Sequence, residues 1–171
     1  MADKNAESSE RADLLAALEK QRHFLRFPLR DLTDEQANER TTASALTLGG
    51  IVKHVTAVEQ AWANFIVEGP SAMSWGSGDT GDWESGFRMS EGETVKGLLD
   101  AYDDVARRTD DLVATLPDLD AAHPLPDAPW FEKGATWSAR RVVLHIIGET
   151  AQHAGHADII RESLDGAKSM G

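Results

Sequence analysis

Residues 142–164 read VVLHIIGETAQHAGHADIIRESL, and this stretch decides the fold. Steps of three and four residues pick out Val142, Ile146, Glu149, His153, His156 and Ile160. That spacing is one face of an α-helix, and Ile146 and Ile160 turn the face toward a core. Its middle is nevertheless a carboxylate and two imidazoles. At about 100° per residue these three fall within one narrow sector. Residues i and i+4 are neighbours on a helix, so Glu149 and His153 can approach one common ion. A buried carboxylate is costly unless it is paired, protonated or metal-bound.

The helix built on this stretch is predicted from about Ser138 to Leu164, with Thr136 or Ser138 as N-cap and Gly166 as its stop. Three more long helices can be read upstream. Leu14, Leu15, Leu18, Phe24, Leu25 and Leu29 mark one from roughly Glu10 to Leu29. A second runs from about Thr47 to Val67, where Gly69-Pro70 stops it. Its stripe is Ile51, His54, Val58, Ala61 and Phe65, and His54 is the polar member of an apolar row. The third is predicted to open at a capping box, Ser90-Glu91-Gly92-Glu93, and to end near Leu116 before Pro117. A similar box, Thr33 to Gln36, predicts a short extra turn on the surface. No strand-period alternation with hairpin turns is visible. These features predict an all-α four-helix bundle with long crossover connections, residues 1–171 forming a single domain. One connection, residues 69–89, carries Trp75, Trp83 and Phe87; the other carries Pro124, Pro126, Pro129, Trp130 and Phe131. The Trp-rich loop residues are read as core plugs rather than substrate platforms.

Composition narrows the function. A chain of 171 residues is sized for one full core rather than two. The net charge of -12 repels nucleic-acid phosphates, and no Lys/Arg cluster offsets it. No apolar run is long enough to span a bilayer, and the N-terminus lacks the apolar region of a signal peptide, so a cytoplasmic location is expected. With no cysteine, thiolate metal sites and a Cys nucleophile are excluded. Any thiol chemistry must use a thiol from a bound small molecule. Any metal must be held by His, Asp and Glu, donors that suit zinc, nickel, iron or manganese.

His54 from one helix with Glu149 and His153 from another make three protein ligands and leave a position open, as catalytic rather than structural sites do. Spacing alone leaves a second reading open, a buried polar network. His145, one turn before Glu149, orients a ligand or packs the helix. His156 is read as a ligand, a base or an orienting group. His23 and His123 fall outside the pattern and are read as surface residues. Arg161 and Glu162 read as a solvated face, with Arg161 placed near enough to hold an anionic group. Other metal motifs fail on spacing: Glu149 to His153 is one residue too long for a di-iron Glu-x-x-His, and no second copy exists. His-Glu-x-x-His, the P-loop, the dinucleotide fingerprint and the Gly-x-Ser-x-Gly elbow are absent.

The stretch from Leu48-Gly49-Gly50 through His54 to Glu59-Gln60-Ala61-Trp62, and the stretch from Val143 to Glu162, resemble the second- and fourth-helix signatures of the DinB/YfiT-like superfamily. The chain is most similar to its actinobacterial branch of mycothiol S-transferases. The resemblance implies an up-down-down-up bundle, a homodimer, and a divalent metal, commonly zinc or nickel. In most such proteins the triad is three histidines. Here Glu149 departs from that pattern and matches the His/Glu/His variant of mycothiol-dependent maleylpyruvate isomerases. Carried over position by position, His54, Glu149 and His153 are the implied metal ligands. Together with His156, which stands where many relatives have Gln, they are read as the catalytic set, and Trp62 and Arg161 are read as cofactor-binding. The implied activity transfers a small thiol, mycothiol, to an electrophilic xenobiotic. The alternatives are an isomerase that uses the thiol as cofactor, and a non-enzymatic stress-linked metal binder. Thiol and electrophile are the expected partners, with neither nucleic acid nor membrane.

Overall fold

Helix boundaries are set by local capping chemistry. The computed structural model describes residues 2–73 and 86–169, with side chains from residue 9 onward. Helix α1 spans Ala2–Arg26 and passes into a 3-10 turn, Phe27–Leu29, at Pro28. It starts well before the expected Glu10, because the polar N-terminal residues still form helix. The Thr33 box is present as read: Thr33 Oγ1 accepts from the Gln36 amide at 3.2 Å, and Gln36 Oε1 accepts from the Thr33 amide at 3.0 Å. It opens the one-turn helix α2, Asp34–Ala37.

Helix α3 spans Leu48–Glu68, with Thr47 as N-cap and Gly69, at φ 68°, as its end. Helix α4 spans Val95–Thr115 and begins later than the Ser90 box predicted. Half of the box forms: the Ser90 amide donates to Glu93 Oε2 at 2.6 Å, but the Glu93 amide donates to the Ser90 carbonyl at 3.1 Å rather than to its hydroxyl, and Gly92 sits at φ 82°. A left-handed residue ends the turn there, and Thr94 becomes the working N-cap through the Gly97 amide at 3.0 Å.

A strand pair that the sequence reading did not anticipate follows. Strands β1, Ala122–Pro124, and β2, Thr136–Ser138, are antiparallel, with His123 opposite Trp137. The ribbon fixes both ends of the Pro-rich segment that carries Trp130 and Phe131. Helix α5, Ala139–Asp165, starts at Ser138, whose hydroxyl accepts from the Arg141 amide at 3.2 Å, and stops at left-handed Gly166. Thr136 lies in β2 and is not the cap.

Contacts fix the helix directions. Arg11 donates to the Val113 carbonyl at 2.7 Å while Arg26 pairs with Asp103 at 2.8 Å, so α1 and α4 are antiparallel. Glu10 pairs with Arg140 while Arg161 donates to the Pro28 carbonyl, so α1 and α5 are parallel. His54 lies against His153 while Trp62 lies against His145, so α3 and α5 are antiparallel. The order is up, down, down, up. Among the described residues, no helix is long and apolar enough to cross a membrane.

Two apolar clusters fill the bundle. One gathers Leu18, Val58, Trp62, Phe65, Val142 and Ile146; the other Leu25, Ile51, Val55, Tyr102, Ala154 and Ile160. On α1 the residue between the clusters is Arg22, and on α5 the residues between them include Glu149, Thr150 and His153. The bundle therefore carries a polar layer at mid-height. Part of it is an ion pair with both side chains 0% exposed, Arg22 to Glu59.

Candidate metal centre

Four turns of helix separate the ends of α5 from the middle of its core face, so a side chain there is held rigidly against α3. One donor atom each from His54, Glu149 and His153 lies within 4.8 Å of the other two. His153 Nε2 is 3.7 Å from Glu149 Oε2, and His145 Nε2 is 3.9 Å from Glu149 Oε1. Both separations exceed hydrogen-bond range. The carboxylate is thus flanked by imidazoles without being hydrogen-bonded to them, and Nδ1 of His153 is buried with no hydrogen-bond partner among the described residues.

The electrostatics follow from burial. Burial raises the Glu149 carboxyl above the usual carboxylate range. Burial lowers His54, and it pushes His153 down to about 4, with His54 and His156 adding to the effect. His145 is lowered by burial and then by Arg141. Two neutral imidazoles and a carboxylate short of compensating charge are the donor set that a divalent cation satisfies. The residues present fit such an ion.

The surroundings are aromatic. Phe87 lies over His54 with ring centroids 4.5 Å apart, and its carbonyl accepts from Thr47 Oγ1 at 3.1 Å. That approach depends on Gly50: a Cβ there would fall 1.7 Å from the Phe87 carbonyl oxygen. A cavity of about 250 Å3 opens beside the triad, lined by His54 and Glu149 with Val58, Trp62, Phe131 and His145, and by Trp130 at 61% exposure. Trp75 and Trp83 lie outside the described residues.

The other candidate residues fall as follows. Trp62 is buried in the cavity wall, stacked on Trp137 at 4.9 Å and edge-on to His145. His156 is half-buried, its ring 5.4 Å from that of His153, and it does not belong to the converging set. Arg161 corrects the solvated-face reading. It is 7% exposed, donates to the carbonyls of Pro28 and Arg30 at 2.7 Å each, and pairs with Asp165 at 2.9 Å. It ties the end of α5 to the turn after α1 and does not line the cavity. His23 is exposed as read, whereas His123 is half-buried, 5.8 Å from the Phe65 ring. The Arg22–Glu59 pair was not anticipated. The same test that found His54 would have found it, since Leu18, Arg22, Leu25 and Leu29 form one row, as do Val52, Val55, Glu59, Trp62 and Ile66.

An up-down-down-up bundle that brings His54, Glu149 and His153 together is what the resemblance to the DinB/YfiT-like superfamily implied. A family model described as mycothiol-S-transferase matches residues 13–166, and the chain belongs to that family. Comparison with curated proteins and with solved structures finds no match.

Proposed function

We propose that the protein is a divalent-metal-dependent S-transferase that joins mycothiol to electrophilic xenobiotics. The observation that carries this reading is the convergence of His54, Glu149 and His153 at a cavity of a chain with no cysteine. These three side chains would hold the ion, and two nitrogens with one oxygen suit zinc. A divalent ion held there would lower the pKa of a thiol that reaches it, so that the thiol would be ionised at neutral pH. The protein's own residues do the rest. Val58, Trp62 and Phe131 keep water from the cavity and hold the electrophile against the donor face. His145 sits beside the Glu149 carboxylate and restrains its orientation, and His156 packs edge-on against His153 and limits its rotation. In the reaction the thiol sulfur forms a bond to an electrophilic carbon, the leaving group departs with its bonding electrons, and the thiol proton passes to solvent.

Metal content of the wild type beside His54→Ala and Glu149→Ala tests the site, with thiol consumption followed on the same samples. About one divalent ion per chain is expected in the wild type, with ion and turnover lost together in both variants and helix content retained. A wild type that takes up no ion would overturn the reading and leave Glu149 and His153 as a buried polar pair. An isomerase remains the second reading, favoured by the carboxylate at position 149. It would regenerate its thiol, so stoichiometric thiol loss separates the two.

A further inference from the structure

The wall of the cavity carries information about the electrophile. Apart from His54, Val58 and Glu149 its lining is built from the rings of Trp62, Trp130, Phe131 and His145. Trp62 stacks on Trp137 with an interplanar angle of 17°, and Phe131 meets Trp62 edge-on at 80° and Trp137 at 72°. Trp130 completes the wall from the connection between β1 and β2. It touches Phe131 at 6.2 Å between centroids and leaves most of its surface in solvent. A large exposed ring held beside a cavity by a ribbon-anchored loop offers contact area at small ordering cost.

Charge gives the second constraint. Among the residues that line the cavity there is no Lys and no Arg, and the formal negative charge is that of Glu149. Residues 74–85, which lie outside the described part, carry no Lys or Arg in their sequence either. Arg141 sits over the Trp137 ring at 4.9 Å and is not part of the lining. An anionic electrophile entering here would lose its hydration with no Lys or Arg in the wall to replace it, and the charge of a divalent ion held at Glu149 would already be offset by that carboxylate and a bound thiolate. Size gives the third. A cavity of roughly 150 Å3 holds one benzene ring, so about 250 Å3 admits a single substituted ring.

We infer that the electrophile is uncharged, flat and of single-ring size, held by Trp130 and Phe131 over Trp62, and that Trp130 is a specificity-determining residue. This rests on the transferase reading for what happens after binding, but the binding itself does not need the thiol or the ion. It also sets the chain apart from an enzyme for small dianions, which would need a basic residue in the wall.

Equilibrium dialysis of the full chain, metal-loaded and metal-free, would compare 1,3-dinitrobenzene with 3,5-dinitrobenzenesulfonate. Neither carries a leaving group activated toward substitution, since every nitro and sulfonate group stands meta to the others, and a sulfonate is a poor metal ligand, so the readout is the wall. The neutral arene is expected to bind at least about tenfold more tightly in both forms. Trp130→Ala should weaken it by about tenfold, Trp130→Phe should restore most of the affinity, and bound metal should stay unchanged. Trp130 is exposed, so its truncation leaves the core intact. Equal or tighter binding of the sulfonate would overturn the inference, as would a Trp130→Ala variant with unaltered affinity. Loss of metal or turnover in the wild type, with the arene preference retained, would sink the transferase reading and leave this one standing.

Discussion

At the scale of single residues the centre is defined by groups that burial holds out of their usual protonation states. In the metal-free protein His153 stays neutral down to about pH 4, against an ordinary value of 6.5. Between those values the unfolded chain binds a proton that the folded chain does not. Stability therefore rises with pH across this window and is lost as pH falls through it, by at most about 1.4 kcal/mol per pH unit. His54 and His145, also lowered, act in the same sense. Glu149 acts in the opposite sense: its raised carboxyl stays protonated in the folded state above 4.5, so its contribution is lost as pH rises through its folded value. With three imidazoles against one carboxyl, the chelator-treated protein should melt at lower temperature at pH 5 than at pH 7. His153→Gln should flatten that dependence. A variant with an undiminished slope would mean that His153 is not the group responsible. His54, Glu149 and His153 were legible because each is a polar residue interrupting an apolar helical row. The burial of Arg161 was not, because beside Asp165 one turn on it donates to carbonyls more than a hundred residues away, which no local pattern encodes.

Among the elements, the junction of α3 with the segment around Phe87 and the start of α4 make the sharpest tests. Gly50 lets the Phe87 backbone reach α3, and Gly50→Ala would place a methyl carbon far inside van der Waals contact distance of the Phe87 carbonyl. Overpacking against backbone costs about 1–3 kcal/mol, or a melting shift of roughly 2–12 °C for a domain of this size. Because Phe87 lies over His54, the variant should also take up a divalent ion more weakly than the wild type. Unchanged melting and metal affinity would show that the segment yields freely. At α4 the two candidate caps can be separated. Thr94→Ala should cost about 1 kcal/mol, while Ser90→Ala should cost less, since the Ser90 hydroxyl meets the side chains of half-buried Lys53 and Glu93 in place of a helix amide. Helix existence was readable from periodicity, but this boundary was not. Ser90 and Glu93 have box chemistry, and only the left-handed Gly92 between them shows that the helix does not follow directly. The β1–β2 ribbon was invisible for a related reason: three-residue strands are too short to display a period of two.

For the molecule as a whole, the polar layer raises the question of what sets the register of four helices whose apolar faces are otherwise interchangeable. Arg22 on α1 donates to both Glu59 oxygens on α3, one of them from Nε at 3.3 Å, and to Asp110 on α4 at 2.7 Å. One guanidinium thus ties three helices beside the layer that holds the donor triad on α3 and α5. A buried pair pays for its desolvation only while both partners remain, so removing one should cost about 3–5 kcal/mol, whereas replacing both by apolar groups is often neutral. Arg22→Met alone should therefore lower the melting temperature by at least about 6 °C. Arg22→Met with Glu59→Met should recover most of that loss, because Asp110 is 41% exposed and can return to water. The double variant then separates stability from specificity. If the pair fixes register, the recovered fold should bind the divalent ion less tightly than the wild type although no ligand has changed, since a small slip of α3 along α5 moves His54 away from Glu149 and His153. Equal metal affinity in the double variant would show that packing of the two apolar clusters alone aligns the site.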